Sequence, residues 1–219
     1  MDQCIRSILC YGDSNTWGYN PENASRYSSN ERWPGILQQN LGDGYHVIEN
    51  GIGGRSSVWD DPFTPGLNGK DGLIYALLSS RPIDLIIVML GTNDLKYTDA
   101  FNVAKGQQTL IRSIKGYHQS VRLITPIFTT KEPQILLISP PLLGKTLGSR
   151  HTIEPYLNRR ESEKMAGYYE DVARAENCYF LDAAKYAVAS DVDGMHLPAS
   201  GHYSLGMAVY EKVKEIYPE

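Results

Sequence analysis

Apolar residues along this chain fall into two alternating rhythms. Five short runs, Ser7–Tyr11, Tyr45–Glu49, Leu85–Leu90, Ile135–Ser139 and Cys178–Leu181, are rich in Ile, Leu, Val or Tyr and end at turn residues. Continuous apolar runs of this length mark strands of a parallel sheet, buried on both faces. Between them the spacing changes to that of helices. Trp33, Ile36, Leu37 and Leu41 share a face, and Pro34 suits a first helical position. Leu73–Leu78 predicts a second helix and Phe101–Tyr117 a third, with Val103, Leu110, Ile111 and Ile114 as its apolar set. Arg159–Glu176 predicts a fourth, and Ser200–Ile216 a last one that aligns Leu205, Val209, Val213 and Ile216. Strand alternating with helix implies right-handed crossovers. The expected architecture is an α/β fold: a three-layer α/β/α sandwich on a five-stranded parallel sheet, in one domain over residues 1–219. Two stretches, Tyr19–Arg32 and Gly54–Gly72, lack either rhythm and read as long loops, which in a compact domain are usually functional or interfacial.

Composition narrows the class without naming a function. A chain of 219 residues buries about 70% of its unfolded surface and needs neither disulfide nor metal to hold it. Hydrophobic content of 42% and charged content of 21% are those of an ordinary globular protein. The net charge is −4 and no long basic block occurs, so neither nucleic acid nor a membrane surface is an expected partner. The three cysteines, Cys4, Cys10 and Cys178, are odd in number and lack metal-type spacing, which suits a reducing, cytoplasmic setting. No secretory signal is read at the N-terminus, and the longest apolar run is far too short to span a bilayer.

Candidate chemistry lies where the strands end. Ligands of open parallel sheets bind beyond the carboxyl ends of the strands. Ser14 follows the first strand in Gly12-Asp13-Ser14, Gly53 and Gly54 follow the second, Asn93 follows the third in Gly91-Thr92-Asn93-Asp94, and His196 follows the fifth in Asp193-Gly194-Met195-His196. All four segments are therefore expected at one edge of the sheet. A serine hydroxyl is a weak nucleophile unless a base takes its proton. His196 is the candidate base and Asp193 its orienting carboxylate. His202 is the rival base, ahead of His46, His118 and His151, and Asp182 and Asp191 are rivals to Asp193. The backbone N–H groups of Ser14 and Gly54 and the side-chain amide of Asn93 are the candidate donors to an oxyanion. Each segment alone is also an ordinary turn or helix start. Trp17, Tyr19, Trp33, Trp59 and Phe63 are candidates either for a substrate pocket or for core and interface packing.

The ordered set Gly12-Asp13-Ser14, Gly54, Gly91-Thr92-Asn93-Asp94 and Asp193-x-x-His196 resembles the four sequence blocks of the SGNH hydrolases, the GDSL-type esterases. That resemblance implies a flavodoxin-like α/β/α fold, a Ser14–Asp193–His196 triad, an oxyanion hole of Ser14, Gly54 and Asn93, and no metal or cofactor. Asn15 departs from the leucine usual after the nucleophile, which makes Asn15, with Trp17, a candidate for shaping the substrate pocket. Further segments, Thr16-Trp17-Gly18, Arg32-Trp33, Asp60-Asp61-Pro62, Leu67-Asn68-Gly69, Met89-Leu90 and Ser139-Pro140-Pro141, are similar to the bacterial arylesterase and acyltransferase branch. This closer likeness implies short-chain, acetyl-type ester substrates, acyl transfer to alcohols and a homo-oligomer. A carbohydrate deacetylase or thioesterase with the same machinery is the alternative enzyme. A non-catalytic flavodoxin-like binding module is the alternative of another class, but it leaves Asp193 and His196 without a task.

Overall fold

The computed structural model describes residues 5–120, 124–145 and 159–218. Five strands, β1 (Arg6–Gly12), β2 (Tyr45–Gly51), β3 (Leu85–Met89), β4 (Gln134–Ser139) and β5 (Tyr179–Asp182), form one sheet in the order β2-β1-β3-β4-β5. Every neighbouring pair is parallel. This is the flavodoxin-like strand order, with its switch point between β1 and β3. The helices are α1 (Ser14–Trp17), α2 (Trp33–Leu41), α3 (Gly69–Ser80), α4 (Ala100–Ser120), α5 (Arg159–Ala175) and α6 (Ala199–Ile216). All five sequence-predicted strands and all five predicted helices are present, with shifted ends.

The layers follow from the connection rule. The chain steps one way from β1 to β2 and the other way through β3, β4 and β5. Right-handed crossovers therefore put α2 on one face and α3, α4 and α5 on the other. Side-chain alternation along β1 serves both faces. Ile8 and Cys10 join Trp33 and Leu37 of α2 and Leu205, Val209 and Val213 of α6 in one core. Leu9 and Tyr11 join Leu73 and Leu77 of α3, Val103 and Ile111 of α4 and Met165 and Tyr169 of α5 in the other.

Several expectations shift for physical reasons. Strands β2 and β5 are sheet edges and only half-buried, whereas β3 is buried throughout. The expected loop 54–72 ends earlier, because α3 starts at Gly69, where the Asn68 side chain accepts the Lys70 N–H at 3.0 Å. Its first turn is polar and glycine-bearing, so the apolar spacing began only at Leu73. Trp33 lies fully buried under α6 and belongs to the core rather than to a substrate pocket. Cys10 and Cys178 are free thiols, and Cys4 and His151 lie outside the described residues. Among the described residues no helix is long and apolar enough to cross a membrane.

Candidate active site

Strand β1 ends in a sharp turn built from its own residues. The Asp13 carboxylate caps α1 by accepting the Asn15 N–H at 2.9 Å, and Gly18 closes this short helix in the left-handed conformation, at φ 91°. Ser14 therefore begins a helix at the carboxyl end of the strand next to the switch point. Its Oγ lies 2.9 Å from His196 Nε2. On the far side of the ring, His196 Nδ1 lies 2.7 Å from Asp193 Oδ2. Asp193 accepts, and so the Nδ1 atom carries the proton while Nε2 is left to accept from Ser14. The other Asp193 oxygen accepts the N–H groups of Met195 at 2.9 Å and His196 at 3.0 Å, which fixes the carboxylate in its loop. Burial opposes its charge. The hydrogen bonds from His196 and Met195, with the charge of His196, nevertheless hold the Asp193 carboxyl below the usual range.

The other titratable candidates are occupied elsewhere. His202 is fully buried on α6, packs edge-on against Tyr27 and accepts the Trp33 N–H at 3.4 Å. Burial, reinforced by the charges of His196 and Arg32, pushes its ring down to about 4, so it stays neutral at ordinary pH. His46 is an exposed residue of β2, and His118 packs its ring edge-on against Phe128 from α4. Asp182 caps the turn after β5 through the Ala184 N–H, and Asp191 is exposed.

Two glycine-bearing turns complete the edge. Gly54 adopts φ +80°, and a Cβ there would lie 2.9 Å from Leu67 Cδ1. Gly91 adopts φ +130°, and a Cβ would strike the Tyr169 hydroxyl that donates to the Leu90 carbonyl. Between them, Asn93 Nδ2 donates to the Arg55 carbonyl at 3.1 Å. A carbonyl can only accept, which settles which end of the amide faces it; the second Nδ2 hydrogen remains for a ligand. Among the described residues neither the Ser14 nor the Gly54 N–H meets a protein acceptor.

A buried polar layer supports these turns, and the sequence had shown no role for it. Arg55 Nη1 donates to the carbonyls of Gly12 at 2.9 Å and Asn50 at 2.6 Å, tying together the ends of β1 and β2. Its guanidinium lies 4.1 Å from the centre of the Tyr11 ring. Asp94 accepts the Ser57 N–H at 3.0 Å and also bonds the Ser57 hydroxyl. Burial pushes Asp13 up to about 6 and Asp94 up to about 7. A lone arginine directly after the paired glycines was the one available signal for this layer.

The aromatic candidates divide. Tyr19 tilts over the His196 imidazole with ring centres 4.2 Å apart. Trp17 is half-buried beneath the Arg26 guanidinium, which lies 5.3 Å from the indole centre. Phe63 is 92% exposed. Asn15 is buried, and its amide is engaged by the backbone on either side of His196. Among the described residues no group of three or more His, Cys, Asp or Glu side chains is placed to hold a metal ion.

A flavodoxin-like sheet carrying a serine, a histidine and an aspartate in hydrogen-bonded series at its carboxyl edge defines a hydrolase of the serine type. Residues 10–203 match the model of the GDSL-like lipase/acylhydrolase family, and the chain belongs to that family as a carboxylic ester hydrolase. Its structure is similar to a carbohydrate acetylesterase from Sinorhizobium meliloti, at 33% identity and TM-score 0.85, over 97% of this chain and 100% of that one. It is also similar to an aryl esterase of M. smegmatis, at 32% identity and TM-score 0.84, over 96% and 99% of the two chains. An acetylxylan esterase from Xylanibacter ruminicola is 33% identical over 111 residues, 50% of this chain, and this match spans only 21% of that longer protein.

Proposed function

We propose that this enzyme hydrolyses small, acetyl-type esters through an acyl-serine intermediate on Ser14. The observation that carries the reading is the series Asp193 Oδ2, His196, Ser14 Oγ, with separations of 2.7 and 2.9 Å. In the first half-reaction Ser14 Oγ attacks the ester carbonyl as its proton passes to His196 Nε2. Asp193 stabilises the resulting imidazolium and keeps its orientation. The oxyanion is held by the N–H groups of Ser14 and Gly54 and by the free hydrogen of Asn93 Nδ2. Collapse expels the alcohol, which takes the proton from His196. Water then repeats the attack on the acyl-serine and releases the acid. An alcohol in place of water gives transfer instead of hydrolysis.

The likeness to a carbohydrate acetylesterase supports acetyl as the acyl group with a sugar as leaving group, and the likeness to an aryl esterase supports an aryl alcohol as the other leaving group. Exposed Ile52, Phe63 and Val188 lie in segments that follow sheet strands at this edge and fit contacts between copies in a homo-oligomer. The two free thiols Cys10 and Cys178 favour the cytoplasm.

Turnover of p-nitrophenyl acetate by Ser14→Ala tests the reading. It should fall by at least about a thousandfold. Retained wild-type turnover in that variant defeats it. Relative kcat/KM for acetylated xylosides, acyl thioesters and aryl acetates then assigns the leaving group.

A further inference from the structure

Asn15 immediately follows the nucleophile, yet it is only 2% exposed and its polar atoms are spent inside the protein. Its Oδ1 accepts the Leu197 N–H at 2.9 Å, and its Nδ2 faces the Met195 carbonyl at 3.4 Å. Those two residues flank His196. We propose that Asn15 is a positioning residue for the general base: it ties the loop that carries His196 to the turn that carries Ser14, and so sets the distance between the two reacting atoms. This inference rests on the reading of Ser14 as nucleophile and His196 as base.

The loop's own bonds fix its shape and not its place. Among the described residues the Asp193 carboxylate bonds only residues up to three positions away. The Ser190 N–H donates to the His196 carbonyl at 2.7 Å, and the Gly194 N–H donates to the Ser190 carbonyl at 2.8 Å, both within the loop. An outer tie comes from the Gly144 N–H, which donates to the Gly194 carbonyl at 2.7 Å. Asn15 supplies the tie on the inner side, one peptide bond from Ser14. Asn15 is itself held, because its N–H donates to Asp13 Oδ1 at 2.9 Å.

The residue type follows from the two partners. Leu197 N–H can only donate and Met195 C=O can only accept. A primary amide presents an acceptor and a donor side by side and answers both. Leucine answers neither and leaves the Leu197 N–H buried and unpaired. A carboxylate answers the first and repels the second.

The test compares Asn15→Leu and Asn15→Ala with the wild-type protein on p-nitrophenyl acetate and butyrate. Active sites are counted by the endpoint of fluorophosphonate labelling, so that misfolded molecules do not enter kcat. Misplacement of a reacting group by an ångström costs on the order of 100-fold, so kcat per labelled site should fall ~10- to 100-fold in both variants. KM should stay within about twofold, since uniform binding is untouched. The acetate-to-butyrate ratio of kcat/KM should not change. Wild-type kcat per site overturns the proposal, as does a shifted acyl ratio with kcat retained, which makes Asn15 a pocket wall. Failure of both variants to fold also overturns it and leaves Asn15 a structural role alone. Ser14→Ala separates the two levels: activity retained there removes the reading beneath, whereas an inactive Ser14→Ala beside fully active Asn15 variants removes this inference only.

Discussion

Asp94 follows the proposed oxyanion donor Asn93, is fully buried, and binds Ser57 through both the N–H and the hydroxyl of that residue. Its desolvation is the largest influence on its proton. Burial pushes the carboxyl up from 3.8 to about 7; the Ser57 bonds pull it down, and the charge of Asp13 adds to the rise. Between those two values the folded protein holds a proton that the unfolded chain has released. Stability from this group is therefore fully present below about pH 4 and is lost as pH rises through about 7. At 1.36 kcal/mol per pH unit, the interval from 3.8 to about 7 corresponds to about 4 kcal/mol. Asp94→Asn keeps an acceptor for Ser57 and cannot titrate. The stability of the variant minus that of the wild type should then rise by about 4 kcal/mol between about pH 4 and pH 8. Urea unfolding at a series of pH values reads this difference directly, and shared groups remote from Asp94, such as His202, largely cancel from it. A difference that stays flat with pH, or falls, refutes the assignment of a protonated carboxyl beneath the oxyanion turn.

Two further variants probe the reacting centre. Asn93→Ala removes a preorganised donor and should lower kcat by about 100- to 1,000-fold while KM for p-nitrophenyl acetate changes little; an equal loss in both esterase and folding stability would point to the turn rather than to the oxyanion. Tyr19→Leu removes the ring face 4.2 Å from the imidazole. His196 is only 8% exposed, and an aromatic face stabilises a cation desolvated to that degree by about 1–2 kcal/mol, so kcat should fall about five- to thirtyfold, and unchanged kcat sets that contact aside.

What could be read from the chain alone depended on how local the determining physics is. Strand β3 was legible because Leu85-Ile86-Ile87-Val88-Met89 is apolar at every position, which only a doubly covered strand requires. That Ser14, Asp193 and His196 would meet at one edge was legible because their turns carry recognisable punctuation after the strands. Gly54 was legible because a positive φ at a close approach excludes other residues. Asn15 was misleading for the opposite reason. Its partners Met195 and Leu197 are 180 and 182 positions away, so nothing nearby in sequence separates a pocket residue from a buried clamp. Arg55 and Asp94 are charged residues in loop segments, where solvent exposure is the default; their burial against Gly12, Asn50 and Ser57 follows only once three strand ends meet. Trp33 was a pocket candidate whose commoner role is core packing, and the packing of α6 on α2 places it in the core.

The central claim is that Ser14 is the one hydroxyl activated for attack, and covalent capture tests it most directly. Intact mass after treatment with a fluorophosphonate, followed by mapping of the labelled peptide, should show a single adduct on Ser14, formed at a sharply lower rate in His196→Ala. An adduct on any other residue, or ester turnover that survives complete labelling of Ser14, contradicts it.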